Sequence, residues 1–173
     1  GSWAGEIHDG WWDEDAEACG GDRAPPEHDD GRGDDMTYGK PTAVVADDSP
    51  TLRRIVAGVL QDAGSEVVLA EDGVEAVQAA FRTMPDVVIL DVQMPRVSGY
   101  VAARVLKDDW QTADMPVLFL TSLNAASDRY WGARAGAERF LTKDFEAPEL
   151  VEAVRGAILT AERARGGRQS IKA

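Results

Sequence analysis

Five short, continuous runs of apolar residues, separated by segments of helical periodicity, constrain the fold of this chain more than any other feature. Continuous rather than alternating apolar residues predict strands that are covered on both faces. Five strand–helix units in about 120 residues predict an α/β fold, a doubly wound (βα)5 flavodoxin-like domain with a five-stranded parallel sheet of order 2-1-3-4-5. The five runs occupy residues 43–46, 67–69, 87–90, 117–120 and 140–141.

The segments between the runs carry the signals of amphipathic helices. In the first, apolar residues recur at helical spacing between Ser49, the expected N-cap, and Gly64, which follows the expected C-terminus. Pro50 suits the first turn of that helix because its missing N–H is not needed there. The other predicted helices lie near 73–83, 99–107 and 125–135, and from Pro148 onward.

Charge divides the chain into unlike parts. Residues 1–40 hold twelve acidic and three basic residues, about −9 of the total net charge of −13. Their low apolar content predicts an acidic, disordered leader or fused segment, followed by a folded domain over 41–160 and a short basic tail over 161–173. The leader contains three tryptophans, Trp3, Trp11 and Trp12. Two interpretations stay open: they anchor the leader to a partner protein, or they belong to a solvated arm.

Several kinds of chemistry are excluded by what the sequence lacks. No apolar run approaches the roughly 18 to 20 residues of a membrane span, and no secretory signal pattern precedes the domain. Cys19 is the single cysteine, and both His8 and His28 lie in the leader. The acidic balance favours neither DNA nor anionic membrane as a partner. Because the sequence shows neither a membrane span nor a secretory signal, a cytoplasmic protein is expected. Carboxylates, a lysine and hydroxyls remain as the reactive groups of the domain.

Reactive side chains follow the predicted strands at their carboxyl ends, which meet at one edge of a parallel sheet. Asp47 and Asp48 follow the first strand, Asp91 ends the third, Thr121 ends the fourth, and Lys143 follows the fifth. Converging carboxylates repel each other unless a cation is present, and hard oxygen ligands of this kind suit Mg²⁺. The lysine and the metal together would favour transfer of a phosphoryl group to an aspartate. Taken singly, each residue has an ordinary alternative as a turn cap, a core residue or a surface charge.

Together these residues resemble the signature of bacterial response-regulator receiver domains of two-component signalling, such as chemotaxis regulators. The segment from Asp91 through Gln93 to Pro95 and Gly99 is similar to the family's loop after its phosphoacceptor. Residues 136–138, followed by Phe140 and Lys143, are similar to the family's approach to its fifth strand. The resemblance covers about residues 42–160, and thus the whole predicted domain.

The resemblance implies a role for each matching residue. Asp91 would accept a phosphoryl group from a sensor histidine kinase or a histidine phosphotransfer protein, and Lys143 would contact the phosphate. Thr121 and Phe140 would move together as a switch. A downstream protein or a second copy of the chain would then bind a face formed by the predicted fourth helix, fifth strand and fifth helix. No enzymatic turnover is implied beyond weak self-phosphorylation and autodephosphorylation. The implied Mg²⁺ ligands are Asp47, Asp48, Asp91 and the backbone carbonyl of Gln93.

One departure from the family and two alternatives stay open. Asp144 stands where the family usually has a proline, often after a cis bond, which leaves the path of the loop after Lys143 and the placement of its ammonium undecided. The chain is either a single-domain receiver or a receiver taken from a longer regulator. A Mg²⁺-dependent aspartyl phosphatase is disfavoured, because such enzymes carry an Asp-x-Asp motif after the first strand and a cap domain.

Overall fold

The computed structural model describes residues 39–122 and 139–170. The expected leader up to residue 38, the helix expected over 125–135 and the segment 136–138 therefore lie outside the described residues. So do the last three residues of the expected tail.

The strands form one parallel sheet in the order β2-β1-β3-β4-β5, which confirms the predicted fold class. Each apolar run became a strand of four or five residues. All five residues of β3 and of β4 are buried, as continuous apolar runs predict for strands at the centre of a sheet. The strands are β1 (Thr42–Ala46), β2 (Glu66–Ala70), β3 (Val87–Asp91), β4 (Val117–Thr121) and β5 (Arg139–Thr142).

Three of the four described helices begin at the residues that the sequence predicts. Ser49, Asp72 and Ser98 act as N-caps, each with a side-chain oxygen that accepts a hydrogen bond from a backbone N–H in the first turn. Gly64 follows the end of the first helix with a φ of 92°, a conformation that glycine adopts at little cost. The helices are α1 (Pro50–Asp62), α2 (Gly73–Thr83), α3 (Gly99–Asp108) and α4 (Ala147–Ser170), the last being the fifth in the predicted order.

The end of α4 differs from the expectation that a basic tail begins at residue 161. The helix continues to Ser170, so that residues 161–170 belong to it. Arg165 donates a hydrogen bond to the backbone carbonyl of Asp114, and Arg168 forms an ion pair with the Asp114 carboxylate at 2.7 Å. These contacts with the loop before β4 give the basic residues a folded partner, which the sequence did not reveal.

Two apolar layers cover the two faces of the sheet. One lies between the sheet and helices α2 and α3, and includes Leu90, Leu106 and Phe119. The other lies between the sheet and helices α1 and α4, and includes Ile89 and Leu118. Both layers exclude water from the central strands β1, β3 and β4, so the polar residues that end these strands lie directly above a dry core. Within the described ranges, no helix combines the length and the apolar character needed to cross a membrane.

Candidate functional site

The parallel register brings the predicted site residues to one edge of the sheet, hereafter the acidic edge. Asp91 is the last residue of β3, and Thr121 is the last residue of β4. Asp47 and Lys143 come immediately after β1 and β5. These elements lie side by side in the sheet, so four side chains that are far apart in sequence become neighbours.

Three carboxylates and one ammonium form the centre of the acidic edge. Asp47, Asp48 and Asp91 each place a carboxylate oxygen within 4.8 Å of the others. Asp47 and Asp91 are buried, whereas Asp48 is exposed. The Nζ atom of Lys143 lies 3.0 Å from Oδ2 of Asp47 and 3.1 Å from Oδ1 of Asp91. Among the described residues, one cation therefore faces two buried anions, with a third anion beside them, and this set of groups has more negative than positive charge.

The shortage of positive charge appears in the pKa of Asp91. Burial, followed by the negative charge of Asp47, raises the pKa of Asp91 to about 6, against an ordinary value of 3.8. Lys143 and the N–H of Gln93 act in the opposite direction but do not outweigh those two effects. For Lys143, burial alone would lower the pKa. The two carboxylates that it contacts outweigh burial and raise the pKa of Lys143 instead, so the lysine remains charged.

The donor atoms at this edge fit a small, hard divalent cation. Oδ1 of Asp47 accepts a hydrogen bond from the N–H of Ser49 at 2.8 Å. Oδ2 of Asp47 is buried and accepts no aligned hydrogen bond from the described residues, although the Lys143 ammonium lies 3.0 Å away. A buried carboxylate oxygen with an unused lone pair is costly unless a cation or a donor approaches it. Oxygen ligands from two or three carboxylates are the set that Mg²⁺ prefers.

Close backbone packing fixes the position of Asp91. The N–H of Val92 donates to the carbonyl of Leu120 at 3.1 Å, and the N–H of Gln93 donates to Oδ1 of Asp91 at 3.2 Å. A Cβ atom added at Gly99 would lie 2.2 Å from the carbonyl oxygen of Asp91, so only glycine permits this approach. The glycine that the sequence singled out thus sets the distance between α3 and the end of β3.

Thr121 and Phe140, the two predicted switch residues, lie on neighbouring strands. Thr121 is buried, and its backbone carbonyl accepts a hydrogen bond from the N–H of Lys143 at 2.8 Å. Phe140 is half-buried, with its ring centroid 5.4 Å from that of Phe119. Phe119 in turn meets Tyr100 of α3 edge to face at 5.0 Å. The aromatic rings therefore form a continuous contact from β5 to α3 beneath the acidic edge.

The loop after β5 takes a path that the sequence left open. The peptide bonds of the described residues, including the one between Lys143 and Asp144, are all trans. A turn closed by a hydrogen bond from the N–H of Phe145 to the carbonyl of Thr142 leads from β5 toward α4. Asp144 is exposed, and the Lys143 ammonium reaches Asp47 and Asp91 without the family's proline.

Two residues beside the site were not identified from the sequence. Asp72 is buried and accepts hydrogen bonds from the N–H of Glu75 at 2.9 Å and from the guanidinium of Arg96. The N–H of Glu75 and the Arg96 charge together outweigh burial and lower the pKa of Asp72. An Asp–Gly pair before an apolar helical stripe is a recognisable cap signal. Nothing in the sequence indicates that an arginine 24 positions later completes it.

Arg53 makes a further contact beside the site that the sequence did not suggest. Its guanidinium donates to the backbone carbonyl of Asp47 at 2.7 Å and pairs with Glu71 at 3.1 Å. The contact fixes the chain at the point where β1 ends and the first two carboxylates begin.

Comparison with known proteins gives concordant matches. Residues 43–155 match the family model described as the response regulator receiver domain. Protein PilH of Pseudomonas aeruginosa is 34% identical over 115 residues, which are 66% of this chain and 95% of PilH. The DNA-binding dual master transcriptional regulator RpaA of Synechocystis sp. is 35% identical over 123 residues, which are 71% of this chain and 51% of RpaA. This chain therefore spans about half the length of RpaA.

A solved structure agrees with these matches. The receiver domain of the sensor histidine kinase PA1611 from Pseudomonas aeruginosa superposes with a TM-score of 0.65 at 27% identity. The superposition covers 69% of this chain and 98% of that domain, which holds a magnesium ion coordinated in its active site cleft.

Proposed function

Because this chain belongs to the response regulator receiver family of two-component signalling proteins, we propose that Asp91 is its phosphoacceptor and that Mg²⁺ is its cofactor. The observation that carries the proposal is the position of the Lys143 ammonium, 3.0 Å from Asp47 and 3.1 Å from Asp91 at the end of the sheet. An ammonium placed there contacts Asp91 and would also contact an anionic group bound to Asp91. The proposed chemistry therefore depends on carboxylates and a lysine, since the described residues of the cluster include no histidine or cysteine.

Four groups of this chain would hold the cation. Asp47, Asp48 and Asp91 would supply carboxylate oxygens, and Gln93 would supply its backbone carbonyl. The unused lone pair of the buried Asp47 Oδ2 supports this assignment. When bound, the ion neutralises negative charge on the phosphoryl oxygens during transfer. The magnesium ion in the PA1611 receiver domain supports the same choice of metal.

The transfer itself moves one phosphoryl group. An oxygen of the deprotonated Asp91 carboxylate forms a bond to phosphorus, while the bond between phosphorus and the imidazole nitrogen of a phosphohistidine breaks. The donor imidazole keeps the electron pair of that bond and takes up a proton. Asp91 must be ionised to attack, and the Lys143 ammonium and a bound cation both favour that form. A sensor histidine kinase or a histidine phosphotransfer protein would supply the phosphoryl group.

The response would pass from Thr121 to Phe140 and then to the output face, which is formed by the predicted fourth helix, β5 and α4. The contact of Phe140 with Phe119 supplies a packed partner for such a rearrangement. A downstream protein or a second copy of the chain would bind that face. We propose that the receiver begins near residue 41 and includes the whole of α4, in a cytoplasmic protein, and we assign it weak self-phosphorylation and autodephosphorylation. The match to half of RpaA supports the alternative of a receiver within a longer regulator.

The proposal is tested by labelling with a small phosphodonor. Wild-type protein, Asp91→Asn and the control Asp108→Asn, an exposed aspartate of α3 outside the cluster, are incubated with acetyl phosphate in Mg²⁺ or EDTA. Intact-mass spectrometry should show one added phosphoryl group in the wild type and the control with Mg²⁺ only. No addition is expected in Asp91→Asn. Labelling that persists in Asp91→Asn would assign the phosphoacceptor elsewhere.

A further inference from the structure

The loop over residues 92–98 joins β3 to α3 and carries the carbonyl of Gln93. Both of its ends are fixed by backbone contacts. At the start, the N–H of Gln93 donates to the carboxylate of Asp91 at 3.2 Å. At the end, the N–H of Gly99 donates to the carbonyl of Val92 at 3.1 Å, and Ser98 caps α3. The geometry of the middle of the loop depends on other contacts.

The middle of the loop is fastened to the N-terminus of α2. Arg96 donates from its guanidinium to Oδ2 of Asp72, the N-cap of that helix. One residue later, the Val97 carbonyl lies so close to Gly73 that a Cβ atom added there would be 2.4 Å away. The N–H of Val97 also closes a tight turn to the carbonyl of Pro95 at 2.7 Å. The loop and the first turn of α2 are thus in direct van der Waals contact.

The backbone of Arg96 has an unfavourable conformation that accompanies this contact. Its φ is 64°, in the left-handed region, which residues other than glycine, asparagine and aspartate seldom adopt. Backbone strain of this kind persists where the surroundings over-determine it, and it concentrates near functional sites. Here the surroundings are the ion pair with Asp72 and the packing of Val97 on Gly73.

The two partners of the ion pair differ in exposure, and this difference shows which one is the anchor. The side chain of Asp72 is 5% exposed, and each of its two oxygens accepts one hydrogen bond, from Glu75 and from Arg96. The side chain of Arg96 is 63% exposed, so its guanidinium reaches from the protein surface to a buried carboxylate that caps a helix. The contact therefore restrains the loop far more than it restrains α2.

We propose that Arg96 is a positioning residue for the cation site, holding the loop on α2 through Asp72 so that the Gln93 carbonyl is in place before Mg²⁺ binds. This inference rests on the proposed function, because it assumes that the acidic edge binds the ion. The physical reason is preorganisation. Ordering a loop costs conformational entropy, and a loop already ordered in the free protein removes that cost from the binding step.

The experiment measures Mg²⁺ affinity by isothermal titration calorimetry and the unfolding midpoint in EDTA. In Arg96→Asn the side chain is too short to reach Asp72, yet asparagine tolerates the left-handed backbone. In Asp72→Asn the helix cap is retained while the charge is removed. Each variant should bind Mg²⁺ about tenfold more weakly, at the lower end of the effect seen when residues that orient metal ligands are changed. Arg104→Ala, which removes an exposed arginine of α3, should bind as the wild type does.

Two further readouts separate positioning from a general loss of stability. The double variant should bind Mg²⁺ no more weakly than the weaker single variant, because both changes break the same contact. Amide hydrogen exchange at Gln93 should accelerate in Arg96→Asn, while the unfolding midpoint stays close to that of the wild type. Arg96→Lys, which keeps the charge but not the planar fork, should have intermediate affinity.

The possible outcomes are distinguishable. Wild-type protein that does not bind Mg²⁺ would refute the proposed function and this inference with it. Wild-type protein that binds Mg²⁺ while Arg96→Asn binds equally well would refute the inference alone. Additive losses in the double variant, or an affinity loss that merely follows a fall in the unfolding midpoint, would also overturn it.

Discussion

The two edges of the sheet treat charged residues in opposite ways. Among the described residues, Asp47 and Asp91 of the acidic edge share one ammonium, and a buried oxygen of Asp47 accepts no aligned hydrogen bond. At the other edge, where the strands begin, several charged groups have partners among the described residues. Asp86 accepts from the backbone N–H of Thr42 at 2.8 Å, and Lys107 donates to two backbone carbonyls of the loop before β4.

The difference shows where stability has been given up for binding. Charged groups that are fully hydrogen-bonded to the backbone stabilise the loops they contact, and they have no free hydrogen-bonding capacity with which to bind a ligand. Charges that exceed their counter-charges raise the free energy of the empty protein, and a bound cation lowers it again. The edge with matched charges therefore contributes to the stability of the fold, whereas the edge with surplus negative charge is the one at which we propose that a cation binds.

Removal of the single shared ammonium should have the largest effect. Lys143→Met keeps most of the side-chain volume but leaves Asp47 and Asp91 without their cation. We expect the unfolding free energy in EDTA to fall by about 2 kcal/mol, less than the 3–5 kcal/mol of a fully buried pair because Lys143 is 24% exposed and Asp91 can take up a proton. Urea denaturation at pH 7 measures the loss, and added Mg²⁺ should recover part of it. A loss under about 0.5 kcal/mol would show that the acidic edge is not short of positive charge.

An intermediate effect is expected from pH. The pKa of Asp91 is about 6 in the folded protein and close to 3.8 when unfolded, so the folded state binds the proton more tightly. The stability that this proton contributes is present at low pH and is lost as pH rises from about 4 to 6. In EDTA, the unfolding free energy should therefore fall by at most about 2 kcal/mol over this window relative to Asp91→Asn.

Denaturation series at pH 4.5, 5.5 and 6.5 for both proteins measure this difference. If the difference in unfolding free energy between wild type and Asp91→Asn stays constant over this pH range, the surplus negative charge at the acidic edge does not raise the pKa of Asp91.

The smallest effect is expected at the opposite edge. Arg168→Ala removes an ion pair with Asp114 whose side chains are 69% and 48% exposed. Exposed pairs contribute little, so the unfolding free energy should change by under about 0.5 kcal/mol, with no change in Mg²⁺ affinity. Hydrogen exchange should show faster fraying of α4 beyond Thr160. A change in Mg²⁺ affinity would show that the two edges are coupled.

The sequence predicted the edge with surplus charge better than the edge with matched charges, for a physical reason. A residue that ends a parallel strand lies at a known edge of the sheet once the strand order is known, so the position of Asp91 followed from the apolar runs alone. The sheet order and the start of α1 after Ser49 were confirmed in the same way. Lys143 was the uncertain member, because the residue after it departs from the family.

Contacts between distant segments were beyond sequence reasoning. Arg96 and Asp72, and likewise Arg168 and Asp114, are joined by tertiary packing that no local pattern encodes. The end of α4 was placed too early for the same reason. The basic residues near the C-terminus suggested a tail, and the loop contact at Asp114 favours the helix instead.

The length of α4 gives the molecule a lever arm. Its 24 residues span about 36 Å at 1.5 Å per residue, about twice the length of the five-residue strands beside it. It begins four residues after Lys143. A tilt of only about 5° around its first turn displaces the far end by about 3 Å, given the rise per residue of a rigid helix. Such a displacement is about the length of a hydrogen bond, so a tilt of this size would change the distance between Arg168 and Asp114.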